Sequence, residues 1–245
     1  MLDHVVLLSA GKPYLDNQPA LLTEVSGKSI FDWQINAAGA AASVQLVLGY
    51  EADRFAGFAD RHVKLVLNEH WERSSSAYSY LCADLSGKSQ LVSYADILYR
   101  PDLVARLREC PEDVVLAYDS AWRKRYVGRT EADLKRAEKV LVNDGTVLRA
   151  GPSVPMSWAN GEFIGLVLFN ETALRKLRVI QQQQQTADFM SLTLSDLVEW
   201  LRLQGLRVAA VDVLGDWAEL NDPKDLAHFV LGTKAETLLR LSRLV

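Results

Sequence analysis

Short apolar runs alternate along this chain with longer segments whose apolar residues recur at helical spacing. Residues 5–8 (VVLL), 44–48 (VQLVL), 63–67 (VKLVL), 91–98 (LVSYADIL), 114–118 (VVLAY) and 207–213 (RVAAVDV) are rich in β-branched residues, which predicts strands. Ile30, Trp33, Gln34, Ala37, Ala38 and Ala41 share one helical face, with Ser29 available as N-cap. Residues 51–59 read as a short helix, and Ala77, Tyr80, Leu81 and Asp84 mark another. Pro101 opens a helix running through Cys110. A further helix begins near Glu171 and ends at the glutamine run 181–185, a solvated helix end or loop. The next helix spans 194–203, closed by Gly205, and two helical segments, one through Leu231 and one from Ala235 to Val245, end the chain. Residues 140–150 read as a hairpin turning at Asn143-Asp144-Gly145, 163–169 are apolar around Gly165, and 216–226 form a polar loop. The rhythm predicts an α/β protein with a mostly parallel mixed sheet, Rossmann-like, and helices on both faces.

No repeat and no flexible linker divides the pattern. Residues 1–232 are expected to form one domain, and 233–245 a terminal helix that starts a linker to a further domain in a longer parent chain. With 245 residues, 49% of them apolar, the chain can bury a full core. Lys plus Arg number 27 against 31 Asp plus Glu, a formal net charge of −4, which argues against nucleic acid as a partner. Cys82 and Cys110 have no metal-like spacing and suit a reducing cytoplasm. VVLL is too short for a signal segment or a membrane span, so a cytoplasmic protein is expected. The four histidines lack metal spacing and no G-x-S-x-G occurs, which argues against hydrolysis by zinc or a serine triad.

Three places carry candidate chemistry. The turn Ser9-Ala10-Gly11-Lys12-Pro13 ends the first strand, and a nest of backbone N–H groups beside a lysine suits a phosphate. It matches neither the P-loop nor G-x-G-x-x-G, so an ordinary strand-to-loop turn stays open beside that reading. Asp96 follows one strand, and Glu219, Asn221 and Asp222 follow another. Because neighbouring strands of a doubly wound sheet bring their carboxyl ends together, Asp96, Glu219 and Asn221 form a candidate Mg²⁺ site, although a single carboxylate at a strand end is commonly a turn residue. The basic run Arg123, Lys124, Arg125, Arg129, with Lys135, Arg136 and Lys139 beyond it, is either a solvated face or an anion-binding surface. Trp122 and Tyr126, interleaved among the charges, favour capture of a phosphate or phosphonate.

The ordered series LSAG, SGKSIFDWQI, LVLGYEADRF, NEHWERSSSAYSYLCAD, SYADILYRP, NGEFIGLVLF and DWAELNDPKDL resembles the small cytidylyltransferases of the nucleotidyltransferase fold, which include sugar-phosphate nucleotidyltransferases and phosphocholine cytidylyltransferases. LSAGKP, WRKRYVGRT and LGTKAETLLRL are most similar to the cytidylyltransferase domains joined to phosphoenolpyruvate mutases in phosphonate pathways of the fosfomycin type. The family's opening loop, L-A-A-G-x-G-x-R-L followed by P-K, is altered: Gly11 precedes Lys12-Pro13 and Pro19 precedes Ala20, so the family arginine and lysine are absent.

The resemblance implies Mg²⁺-dependent transfer of CMP from CTP to a phosphonate, with release of pyrophosphate. It implies cytosine lying against Leu8, Ser9, Ala10, Gly11 and Ser74, Ser75, Ser76, with Lys12 on the triphosphate, and Arg123, Arg129 and Lys139 on the acceptor. Lys12, Asp96 and Lys139 are the expected catalytic groups. Gly161-Glu162 keeps the family's G-E-x-x-G segment, which implies a place for Glu162 near a substrate, and Asn221 stands where many relatives carry a metal-binding aspartate. Carboxylates near the acceptor are expected to be few once Asp96 and the Glu219 loop hold metal, which favours 2-hydroxyethylphosphonate over 2-aminoethylphosphonate or phosphocholine. The alternative of another class, an inactive nucleotide-binding or scaffold domain, is motivated by the altered opening loop. Leu238, Leu241 and Val245 on one stripe, with Leu239 and Leu244 beside it, predict burial on the chain's own domain, on a second copy or on a mutase domain, fused or separate; a homodimer is expected.

Overall fold

Strand β1 (His4–Ser9) shows why the first apolar run is buried on both sides: Val5, Val6 and Leu7 have no exposed surface and Leu8 is 8% exposed. Val5 and Leu7 pack with Ile30, Phe31, Leu103 and Leu107 on one face, while Val6 and Leu8 pack with Ala77, Tyr80, Leu174 and Leu197 on the other. The computed structural model describes residues 2–13, 18–39, 43–61, 63–128, 130–183, 185–220 and 223–241. Arg129, Asn221 and Asp222 from the candidate sites, and Leu244 and Val245 from the apolar stripe, lie outside them, as do the side chains of Leu238, Leu239 and Leu241.

After β1 comes a small ribbon, β2 (Glu24–Val25) and β3 (Lys28–Ser29), and then α1 (Ile30–Ala38), whose Ser29 cap accepts from Asp32 N at 3.1 Å. β4 (Ser43–Leu48), a 3-10 stretch (Ala52–Arg61) in place of the expected short α-helix, β5 (Val63–Leu67), α2 (Ser76–Leu81) and β6 (Ser89–Tyr94) follow. Next come β7 (Ile97–Leu98), α3 (Pro101–Glu109), β8 (Val114–Asp119), α4 (Glu131–Arg136) and the hairpin β9 (Lys139–Asn143) with β10 (Thr146–Ala150). Asp144 and Gly145 both have positive φ, 47° and 73°, as a two-residue hairpin turn demands. The remainder is β11 (Gly161–Asn170), α5 (Glu171–Gln182), α6 (Leu194–Leu203), β12 (Val208–Asp212), β13 (Ala218–Glu219) and α7 (Pro223–Leu241). Within the described residues the two expected terminal segments are one continuous helix, Pro223–Leu241. No helix among the described residues is long and apolar enough to cross a membrane.

Nine strands form one sheet in the order β5-β4-β1-β6-β11-β8-β12-β10-β9. The pairs β5/β4, β4/β1, β1/β6 and β8/β12 are parallel, and β11 runs antiparallel between β6 and β8. The sheet is therefore mostly parallel and mixed, with helices on both faces. Because β11 is reversed, its amino-terminal residues Gly161 and Glu162 reach the same edge as the carboxyl ends of β1, β6, β8 and β12.

One expected strand is broken at that edge. The run 91–98 stops at Tyr94, turns at Ala95 and Asp96, and leaves the sheet as β7 to pair with β13, Ile97 opposite Glu219. The buried Gln34 of α1 causes the break by giving Nε2 to Tyr94 O at 2.9 Å and to Ile97 O at 2.8 Å, while Leu220 N donates to Asp96 O at 2.9 Å. Carbonyls on both sides of Asp96 are thus satisfied outside the sheet ladder.

Gly165 sits where the β11 register against β8 shifts, between Phe163 and Val167, with φ +86°. A Cβ there would lie 2.3 Å from Tyr94 Cδ2. Gly165→Ala is expected to destabilise the fold by at least about 2 kcal/mol, from backbone strain plus the clash. Urea denaturation checks this, and a loss below about 0.5 kcal/mol would mean that Tyr94 moves aside freely.

Candidate functional site

Two cavities, of about 260 Å³ and about 820 Å³, open along the shared edge, and Tyr94 and Asp96 line both. The smaller is walled by the turn after β1 (Leu8, Ser9, Ala10, Gly11, Lys12) and by Ser74, Ser75 and Ser76. The structure thus brings the opening loop and the serine triplet to one concavity. Asn68, fully buried, holds the triplet by donating to Ser74 Oγ at 2.9 Å and Ser79 Oγ at 3.0 Å, and its own Oδ1 accepts from His70 N. Tyr50 N donates to Ala10 O at 2.9 Å, and Gly49 lets the chain pass Trp71: a Cβ there would lie 2.4 Å from Trp71 Cβ. Lys12 is exposed at the mouth, its ammonium 5.9 Å from the Tyr50 ring centroid.

The larger cavity is rich in carboxylates. Asp96, Asp133, Glu138, Glu162, Glu219 and Asp225 line it, against Lys124, Arg125, Arg136 and Lys224. Burial, then the neighbouring charges of Glu219 and Glu138, push the Asp96 carboxyl well up from its ordinary range. Glu162, 7% exposed, is pushed up to about 7, mainly by burial and against the hydrogen bond it accepts from Tyr126 Oη and the Arg125 charge. Arg125 stacks on Trp217, with its guanidinium carbon 3.7 Å from the ring centroid. It donates from Nε to Asp225 and from Nη2 to Glu219 at 3.2 Å. Its Nη1 stands 3.9 Å from Glu162 Oε2, and neither atom has a hydrogen-bond partner.

Asp96 and Glu219 are a donor set for a hard cation: two carboxylates that repel each other, open to a cavity. Mg²⁺ is commonly held by one or two carboxylates, with waters and substrate phosphates completing the octahedron. Among the described residues no three acidic, histidine or cysteine side chains form a fuller cage; a hard cation at the pair would need waters or substrate oxygens for its other ligands.

Other sequence expectations are redirected. Arg123 does not line either cavity: its Nη2 donates to Met156 O at 2.8 Å and Ala159 O at 3.3 Å, tying down the loop before β11. Trp122 is 1% exposed in a small core with Ala137, Val154 and Ala159, so it anchors the basic run. Lys139, 2% exposed, gives its ammonium to Ala137 O at 3.0 Å and Lys135 O at 3.3 Å and lines neither cavity. Burial pushes its pKa down. The expectation that Glu162 would be nearly alone once Asp96 and Glu219 are set aside does not hold in the larger cavity, which Asp133, Glu138 and Asp225 line as well. Arg125, Tyr94, Glu138 and Trp217 had no individual place in the sequence reading. A run of four charged residues beside a buried aromatic signals a cation facing inward, but not which one.

No family model matches this chain. It is 22% identical over 246 residues to the CTP:phosphoglutamine cytidylyltransferase of Campylobacter jejuni subsp. jejuni, covering 91% of this chain and 97% of that protein. It is 26% identical over 228 residues to the bifunctional IPC transferase and DIPP synthase of Rubrobacter xylanophilus, covering 89% of this chain and 49% of the relative, about half its length. Among solved structures, the inositol-1-phosphate CTP transferase of T. maritima superposes with a TM-score of 0.67 at 16% identity, over 94% of this chain and 96% of that one. The CTP:phosphocholine cytidylyltransferase of Streptococcus pneumoniae does so with 0.64 at 17%, over 98% and 100%. The fold is that of the nucleotidyltransferases.

The Asp96–Glu219 contact makes a stability prediction. A carboxyl whose folded pKa is raised binds its proton more tightly in the folded state, so the fold loses stability as pH rises from the ordinary carboxylate range toward that raised value. Asp96→Asn removes the loss at nearly constant volume. In metal-free buffer the variant is expected to be more stable than the parent at pH 8 by on the order of 2 kcal/mol, with the difference closing toward pH 4. Urea midpoints at both pH values test it; a less stable variant at pH 8 means the anion has a stabilising partner.

Proposed function

We propose that this protein transfers a cytidylyl group from CTP to the phosphate or phosphonate of a small acceptor, releasing pyrophosphate. The observation that carries the reading is the meeting of two cavities at Asp96, with Glu219 beside it. Such a wall suits a reaction in which two anionic substrates are joined across a shared cation. The nucleotidyltransferase fold and the three similar proteins named for CTP transfer support it.

The acceptor oxygen is already anionic near neutral pH, so in-line attack on the α-phosphorus needs no general base; it needs alignment and relief of charge. Asp96 and Glu219 would hold Mg²⁺, which when bound supplies positive charge to the phosphate oxygens. Leu8 to Gly11 and the serine triplet cradle the nucleoside, and Lys12 at the mouth meets the triphosphate. Lys124 and Arg136 at the rim receive the acceptor phosphate, while Arg125, fixed on Trp217, forms with Glu162 and Tyr126 the wall that meets its tail.

Within this reading 2-hydroxyethylphosphonate stays the first acceptor to try, for a new reason. Glu162 Oε2 and Arg125 Nη1 are unpartnered 3.9 Å apart, and a hydroxyl donates to one while accepting from the other. An ammonium beside Arg125 would meet a like charge. The hydroxyl compound is therefore preferred to 2-aminoethylphosphonate and phosphocholine.

Pyrophosphate release from CTP, Mg²⁺ and each acceptor tests the reading. Release is expected with CTP and fastest with the hydroxyl compound. CTP binding without release from any of the three would indicate a nucleotide-binding scaffold. Asp96→Asn is expected to lower kcat by about 10²-fold or more, since it removes charge from the shared wall. Arg125→Ala is expected to cost about 1.5–3 kcal/mol in kcat/KM for the acceptor, the worth of a charge-assisted contact. Arg123→Ala should change it by less than about threefold, because that side chain bonds the loop and no cavity. Equal losses at both arginines would count against Arg125 as an acceptor contact.

A further inference from the structure

A partly buried chain of hydrogen bonds runs beneath the wall between the cavities. Ser76 Oγ lies 2.9 Å from Tyr94 Oη, and Tyr94 Oη donates to Glu138 Oε1 at 2.5 Å. Glu138 Oε2 accepts from Ser195 N at 3.1 Å and from Ser195 Oγ at 2.5 Å, so three donors converge on its carboxylate. Those donors fix the direction of the chain. Tyr94 has one proton and spends it on Glu138, so between Ser76 and Tyr94 the donor must be Ser76. Ser76 Oγ also accepts from Leu194 N at 2.7 Å. One proton and one lone pair are therefore committed, and a single lone pair is left with no partner among the described residues. Ser76 lines the nucleotide cavity.

We infer that Tyr94 and Glu138 lock Ser76 as a hydrogen-bond acceptor, and that its remaining lone pair selects a pyrimidine bearing an exocyclic amine, cytosine over uracil. A freely rotating serine hydroxyl serves either base, because it donates to a carbonyl as readily as it accepts from an amine. With its proton held by Tyr94, Ser76 presents a lone pair to the uracil O4, and the mismatch leaves two acceptors facing each other. Glu138 ends the chain and acts through Tyr94; both are positioning residues, and Ser76 is the contact. The inference rests on the proposed CTP chemistry for its choice of nucleotide, and on the hydrogen-bond geometry for its mechanism.

The test compares CTP with UTP. The parent is expected to prefer CTP by on the order of 10²-fold or more in kcat/KM. Tyr94→Phe releases the Ser76 proton and should cut that preference at least tenfold, chiefly because UTP improves, while kcat with CTP changes less than the ratio does. Ser76→Ala should cut it as well, chiefly because CTP worsens, and Ser76→Thr, which keeps the hydroxyl, should restore most of it. A lost side-chain contact that merely loosened the fold would slow both nucleotides alike and leave the ratio intact. The same ratio is read without turnover by titrating the protein with α,β-methylene analogues of CTP and UTP, so a protein that releases no pyrophosphate sinks the proposed reaction without deciding this inference. Folded Tyr94→Phe and Ser76→Ala proteins that keep the parental CTP preference in both assays would overturn it.

Discussion

Two carboxylates, Asp96 and Glu219, line one cavity at the edge of the sheet, and the charge of Glu219 disfavours ionisation of Asp96. The arrangement exists because β6 breaks after Tyr94 and its continuation pairs with β13, setting Ile97 against Glu219. Gln34 and Leu220 satisfy the carbonyls around the break, so Asp96 cannot relax into the ladder. Folding thus buries the Asp96 carboxyl beside the charge of Glu219, which pushes its pKa up. Such an arrangement persists where the surrounding structure over-determines it and where a ligand relieves it.

The reversal of β11 is the second determinant. A parallel strand in that place would carry Gly161 and Glu162 to the opposite edge, away from Asp96. Running antiparallel, β11 delivers Glu162 to the cavity and passes close to the aromatic side chains of its neighbours. Gly161 would place a Cβ 2.3 Å from Tyr118 Cδ2, as Gly165 would from Tyr94. Both glycines admit a backbone against a ring, and the ring at Tyr94 is the partition between the cavities.

Charge in the larger cavity follows from these placements. One enclosed guanidinium, Arg125, serves Asp225 and Glu219 and leaves Glu162 short of a full hydrogen bond. Stacking on Trp217 fixes its plane, so it offers Nη1 in a set direction. An anion entering such a cavity is not drawn by net positive charge. What the cavity offers such a group is directed donors, the unpartnered Arg125 Nη1 among them.

Much of the architecture was legible in the chain because strand and helix periods are local properties: a run such as VVLL buries both faces wherever it sits centrally, and Ser29 caps α1 from its own sequence neighbourhood. The opening loop and Asp96 also stood out as polar breaks in apolar runs, and the serine triplet as a break before a helix, but which of them share a cavity was not visible in the chain. What the chain could not reveal is direction across space. Arg123 and Arg125 are two residues apart in one basic run, and burial of Trp122 decides which of them turns inward, since neighbours two apart on a tight helical turn point to different sides. Lys139 looked like a cation for the acceptor until its own loop took the ammonium. The break after Tyr94, the carboxylates gathered from α4, β11, β13 and α7, and the hydrogen-bond chain from Ser76 to Glu138 join residues far apart in sequence. Only the packed tertiary structure brings them within bonding distance.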